Sequence, residues 1–181
     1  QDNLRRQRQM CIRDRADYFR IIEMKTGALF AAATDLAGYI SGVTPETRSM
    51  LHGFGMQLGT AYQIYDDCLD LIGTEEQFGK TLRTDLEKGK LTLPMLYLLE
   101  EAGAAKREKL QRRIINQEAL DLPVLVGIAD YEGAIERALD CASSHLASAS
   151  ESLELLPESV YAEALEGIVL FLRGLLSSLQ S

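Results

Sequence analysis

Apolar residues recur at helical spacing along most of this chain. From Ala16 to about Ile40, the residues Tyr18, Phe19, Ile21, Ile22, Leu29, Phe30 and the run Ala31 to Ala33 cover most of the circumference of one helix, a pattern that predicts burial. Gly38 and the stretch Ser41 to Pro45 end it. Thr44 then reads as an N-cap with Pro45 in the first helical position, opening a long helix that runs to about Ile72 and stops at Gly73. Residues 73 to 90 form a polar loop rich in Gly, Thr and Lys. Pro94 lies near the start of a short helix that Gly103 closes. Further amphipathic helices are expected at about 104–118, 131–155 and 158–179, each with charges on the face opposite its apolar residues. The pattern contains no internal repeat and no strand.

Composition narrows the fold class. With 181 residues, 46% of them hydrophobic and 25% charged, the chain has the content of one globular domain. Aromatics are few, Trp is absent, and Gly and Pro are too sparse to punctuate many short strands, so an all-α fold is expected. A net charge of -8 argues against a nucleic-acid groove, which needs a concentrated basic face. No stretch reaches the roughly 18 uninterrupted apolar residues of a membrane span, and Gln1 to Arg15 has no signal-peptide core, so a cytoplasmic protein is expected. Cys11, Cys68 and Cys141 have neither the number nor the spacing of a disulfide framework or zinc site.

Residues 1–15 differ from the rest. They hold five arginines and few apolar residues, and the regular pattern starts abruptly at Ala16. Met10 to Asp14, MCIRD, resembles the translation of a transposon-derived sequencing adapter, so 1–15 is expected to be non-native sequence or a disordered basic arm, with 16–181 as the folded part. An adapter-free read in which these codons are contiguous with the gene would overturn the first alternative.

The candidate chemistry centres on one stripe of the long helix. At 100° per residue, Gln63, Asp66, Asp67 and Asp70 fall within about 100° of one another on the helical wheel. Their neighbours Phe54, Leu58, Ala61, Tyr62, Ile64, Tyr65, Leu69, Leu71 and Ile72 are apolar. Carboxylates so placed repel one another and oppose the helix dipole unless a cation is supplied. No Lys or Arg lies between Arg48 and Lys80. Closely spaced aspartates without His or Cys suit a hard ion such as Mg2+, whose open coordination positions take water and phosphate oxygens. The stripe therefore predicts a phosphorylated ligand.

The following loop supplies Lys80, Arg83, Lys88 and Lys90, interleaved with Thr74, Thr81, Thr84 and Thr92. Ammonium groups, hydroxyls and glycine-exposed amides suit a diphosphate, although such a loop alone is more often solvated surface. Lys25-Thr26, in the middle of an apolar helix, needs a buried anion or a snorkelling path to water. Tyr62 and Tyr65 either line an apolar tunnel or belong to the core. His52 and His145 sit in no ExxH or HxxxH pattern, which disfavours a di-iron bundle and a zincin.

Together the segments YFRIIEMKTGALF, FGMQLGTAYQIYDDCLDLIG and FGKTLRTDLEKGKLTLP, with a weaker match in EALEGIVLFLRGLL, resemble the trans-isoprenyl (polyprenyl) diphosphate synthases, over Asp17 to about Gly174. The resemblance is to the C-terminal half of that family. It implies an all-α helical bundle of the isoprenoid synthase type, about half of the full fold. The implied reaction condenses an allylic diphosphate with isopentenyl diphosphate to lengthen the chain by five carbons. By position, Asp66, Asp67 and Asp70 resemble Mg2+ ligands, while Lys25, Lys80 and Lys90 resemble lysines on the diphosphate. Thr26 and Gln63 resemble residues whose oxygens lie near the developing carbocation. A homodimer of the full-length protein is implied as well.

Two departures stand out. Arg83 occupies the position where many relatives carry Gly in GKxxGxD, and Asp66-Asp67 is the only Asp-Asp pair, so the family's first aspartate-rich motif is missing from this chain. Two readings follow, a prenyltransferase whose other half is needed for activity and a non-catalytic helical subunit of a heteromeric synthase. Terpene cyclases should carry an NSE-type motif, which Asn at positions 3 and 116 alone cannot supply.

Overall fold

A computed structural model describes residues 14–73, 85, 90–116, 125–127 and 130–180, with the side chains of 114–116 left out. The described elements are α1 (Arg15–Ile22), a π-helical turn (Glu23–Gly27), α2 (Ala28–Ile40), α3 (Pro45–Ile72), α4 (Leu93–Glu101), α5 (Ala104–Asn116), α6 (Tyr131–Glu154) and α7 (Val160–Ser178). The described residues contain no strand. The all-α expectation and most helix ends are met. The single helix expected over 16–40 is interrupted by the π turn, and the loop expected at 73–90 is described only at Gly73, Asp85 and Lys90.

The punctuation between α2 and α3 works as the sequence suggests. Gly42 adopts φ 68°, the left-handed conformation that costs a glycine least, while the Val43 amide bonds back to the Gly38 carbonyl at 3.2 Å. Thr44 Oγ1 then accepts the Thr47 amide at 3.3 Å, satisfying one of the four orphan donors at the start of α3.

The chain divides into two compact units, Gln1–Tyr18 with Asp66–Ala138, and Phe19–Tyr65 with Leu139–Ser181. In the first, α4 is the centre. Every residue from Leu93 to Leu99 is buried, joined by Tyr18, Leu69, Leu110, Ala134 and Ala138. Arg107 caps the C-terminal end of α4, donating to the carbonyls of Leu99 at 2.7 Å and Glu100 at 2.8 Å. Arg15 and Arg137 lie over the Tyr97 ring, 5.5 and 4.1 Å from its centroid, and both pair with Glu100.

In the second unit, α2 and the first part of α3 approach closely because small residues meet. A Cβ on Gly59 would lie 2.9 Å from the Gly27 Cα, and one on Gly55 would lie 2.7 Å from the Ala31 Cα. Thr34 Oγ1 bonds to the Leu51 carbonyl at 2.6 Å, and Arg48 grips Asp35 with two hydrogen bonds at 3.0 and 2.9 Å. From α6, Leu139, Ala142, Leu146, Ala149 and Leu153 are buried, as are Val169, Leu172 and Leu176 of α7. Ser150 donates to Glu166 at 3.0 Å and accepts from Arg173 at 3.1 Å, a polar link between these two helices.

Two expectations are corrected. The all-round burial expected for 16–40 is not found, since Met24, Leu29, Leu36, Tyr39 and Ile40 are exposed. A helix pair covers only the stripe of each helix that faces the other, and a second stripe needs a further layer. Likewise α7 does not show a charged outer face; Tyr161, Ile168, Leu170 and Phe171 are exposed there.

Candidate phosphate and metal site

The polar residues singled out by the sequence fall into both units. In the second unit, Lys25 and Thr26 sit inside the π turn, where the Ala28 amide reaches back to the Glu23 carbonyl five residues earlier. This widened turn accommodates an extra residue and often marks functional positions. Gly27 makes it possible, because a Cβ there would stand 2.6 Å from Met56 Sδ and 3.2 Å from Thr60 Oγ1. Next to it, the Thr26 hydroxyl donates to Gln63 Oε1 at 2.7 Å, joining two predicted residues 37 positions apart. Lys25 itself is exposed, so its ammonium has direct access to water and needs no buried anion.

In the first unit, the three aspartates of α3 are not equivalent. Asp66 and Asp70 are half-buried, whereas Asp67 is buried, with its Oδ2 accepting the hydroxyl of the buried Tyr18 at 2.7 Å. Asp70 Oδ2 accepts the Asp85 amide at 3.1 Å. Lys90 pairs with Asp85 through Nζ to Oδ1 at 2.5 Å, and its amide bonds to the Asp85 carbonyl at 2.8 Å. Sequence reading did not single out Tyr18 and Asp85 as site residues. The signal for Asp85 was present as the final Asp of GKTLRTD; Tyr18 offered none beyond its place in an apolar pattern.

Lys80 and Arg83 lie outside the described residues. Tyr65 is buried and Tyr62 is 42% exposed, with their rings 6.3 Å apart, so the two tyrosines differ in environment. Cys68 is buried and Cys141 half-buried. His145, half-buried, holds Gln57 Oε1 through Nδ1 at 2.5 Å; burial lowers its pKa from 6.5, with Glu23 opposing.

Among the described residues, no three His, Cys, Asp or Glu side chains converge to hold one ion by themselves. The donor set on α3 nevertheless suits a hard cation of open coordination. Asp66 and Asp70 stand at i and i+4, on one face of the helix and open to solvent, and carboxylate is the favoured ligand of such ions. No helix among the described residues is long and apolar enough to cross a membrane.

Comparison with known proteins adds an independent line. The family model described as Polyprenyl synthetase matches residues 2–123. The short chain isoprenyl diphosphate synthase of Methanothermobacter thermautotrophicus is 36% identical over 155 residues, 86% of this chain and 48% of the relative. The octaprenyl diphosphate synthase of Escherichia coli is also 36% identical, over 84% of this chain and 47% of its own length. Among solved structures, a decaprenyl diphosphate synthase from Rhodobacter capsulatus aligns with TM-score 0.82 and 27% identity, covering 96% of this chain and 53% of that one. A polyprenyl synthase from Caulobacter crescentus, complexed with calcium and isoprenyl diphosphate, aligns with TM-score 0.77 and 32% identity over 87% of this chain and 49% of that one. The chain spans about half the length of the relatives it matches.

Proposed function

Because the chain belongs to the polyprenyl synthetase family, we propose that it forms the C-terminal half of a Mg2+-dependent trans-prenyltransferase that condenses an allylic diphosphate with isopentenyl diphosphate. The observation that carries this reading is the aspartate stripe of α3, with two carboxylates open to solvent and a third held in the interior. Asp66, Asp67 and Asp70 would be the carboxylates that hold Mg2+, which when bound would supply positive charge to the diphosphate leaving group. Lys25, Lys80 and Lys90 are the lysines that the family resemblance assigns to diphosphate binding. The complex of a similar synthase with calcium and isoprenyl diphosphate supports a divalent ion and a diphosphate as ligands.

Thr26 and Gln63 serve the other half of the substrate. The Thr26 proton is directed to Gln63 Oε1, which leaves the hydroxyl lone pairs as the part of that group suited to face an allylic carbocation. The isopentenyl double bond attacks that cation, and loss of a proton completes an extension of five carbons. The isolated chain is inactive in this scheme, since it has only one Asp-Asp pair and the family's reaction needs two aspartate-rich motifs. The full-length protein acts in the cytoplasm as a homodimer.

Incorporation of labelled isopentenyl diphosphate tests the reading directly. The purified chain should give none above background, and a full-length protein containing it should be active. In that protein, Asp66→Ala should lower the rate by about 100-fold or more, the scale seen when one electrostatic contact to a transition state is removed. Incorporation by the isolated chain would overturn the inactivity, and an unaffected Asp66→Ala protein would overturn the role of the stripe.

A further inference from the structure

The non-equivalence of the three aspartates has a specific cause. Tyr18 is 1% exposed and Asp67 is 5% exposed, and the hydroxyl of one donates to Oδ2 of the other at 2.7 Å across 49 residues of sequence. Asp66 and Asp70, on the same helix, keep solvent access. A buried carboxylate needs hydrogen-bond donors, and the Tyr18 hydroxyl supplies one to Oδ2 of Asp67. The bond also fixes the carboxylate plane, since Asp has two side-chain torsions and Tyr18 is itself immobilised by packing.

We propose that Tyr18 is a positioning residue for metal binding, holding Asp67 in the orientation that the α3 stripe needs. The proposal rests on the reading of Asp66, Asp67 and Asp70 as metal ligands. In this role Tyr18 acts through its hydrogen bond to Asp67. Such supporting contacts typically carry about tenfold to a hundredfold of metal affinity.

The test is a double-mutant cycle on the full chain, with Mn2+ alone as probe and free Mn2+ followed by electron paramagnetic resonance. Five proteins are compared: the unmodified chain, Asp66→Ala, Tyr18→Phe, Asp67→Asn and the Tyr18→Phe/Asp67→Asn pair. Helical content by circular dichroism gives the folded fraction to which each affinity is referred. The unmodified chain should bind Mn2+ and Asp66→Ala should lose it. Tyr18→Phe, which keeps the ring, should bind about tenfold or more weakly. In the Asp67→Asn background the same Tyr18→Phe change should have no further effect, an outcome that general loosening of the core would not give. Loss in Asp66→Ala with Tyr18→Phe unchanged overturns the Tyr18 proposal alone, as does an equal loss in both Asp67 backgrounds. Absence of Mn2+ binding by the unmodified chain overturns the metal reading, and the Tyr18 proposal with it.

Discussion

α4 and α7 are written in similar letters and end in different environments. In α4, LPMLYLLEE, seven consecutive residues are buried. In α7, VYAEALEGIVLFLRGLLSS, Val169, Leu172 and Leu176 are buried while Tyr161, Ile168, Leu170 and Phe171 face solvent. The difference lies in how many elements surround each helix. Within its unit, α4 meets side chains from α1, α5 and α6, whereas one stripe of α7 meets α6. An apolar circumference therefore states a capacity for burial, and the number of neighbouring layers determines how much of it is used.

Substitutions can sharpen or break this contrast. The largest effect is expected from Leu98→Ala in α4, where the residue is 1% exposed; loss of its methyl groups and the cavity left behind should lower unfolding free energy by about 2–5 kcal/mol in a denaturant titration. A different kind of interior, the backbone contact of α2 with α3, is probed by Gly55→Ala. The added Cβ would meet the Phe30 carbonyl oxygen at 2.6 Å and the Ala31 Cα at 2.7 Å, backbone atoms that cannot rotate away, so a loss of about 1–3 kcal/mol is expected.

A smaller, pH-dependent effect belongs to His145. Burial depresses its pKa in the folded state below the 6.5 of the unfolded chain, so the unfolded state binds the proton more readily. Its contribution is fully present when the ring is neutral and declines as pH falls below about 6.5 toward the lower folded value. Thermal melts between pH 7.5 and 5 should show a drop that His145→Gln flattens. Asp35 and Glu46, whose pKa values are lowered from the ordinary carboxylate range, act only at more acid pH. Least affected should be Phe171→Ser, expected within about 0.5 kcal/mol of the unmodified chain because the residue is 68% exposed. A Phe171→Ser loss as large as that of Leu98→Ala would break the comparison.

Legibility of the site followed the same division. Asp66, Asp67 and Asp70 stood out because a helical wheel places carboxylates in an apolar sequence on one stripe, which is local geometry. Family resemblance assigned Thr26 and Gln63 each to the neighbourhood of a carbocation, but their hydrogen bond to each other, across 37 positions, was not legible. Tyr18 was indistinguishable from a core aromatic, because its ring is core and only its hydroxyl has a second task. The π turn went unread as well. Its one sequence mark is Gly27, whose meaning depends on Met56 and Thr60 lying against it.

The amino-acid sequence by itself determined most helix spans, the cap at Thr44, the start of a helix near Pro94, the all-α class and the family, because each follows from periodicity, local hydrogen bonding or residues in fixed spacing. Only the tertiary structure decided which apolar faces are covered, that Lys25 is open to water, and that Asp67 alone of the three aspartates is buried on a phenol. Those outcomes depend on contacts between residues distant in sequence, and a one-dimensional pattern fixes the face a side chain occupies without fixing what stands opposite it.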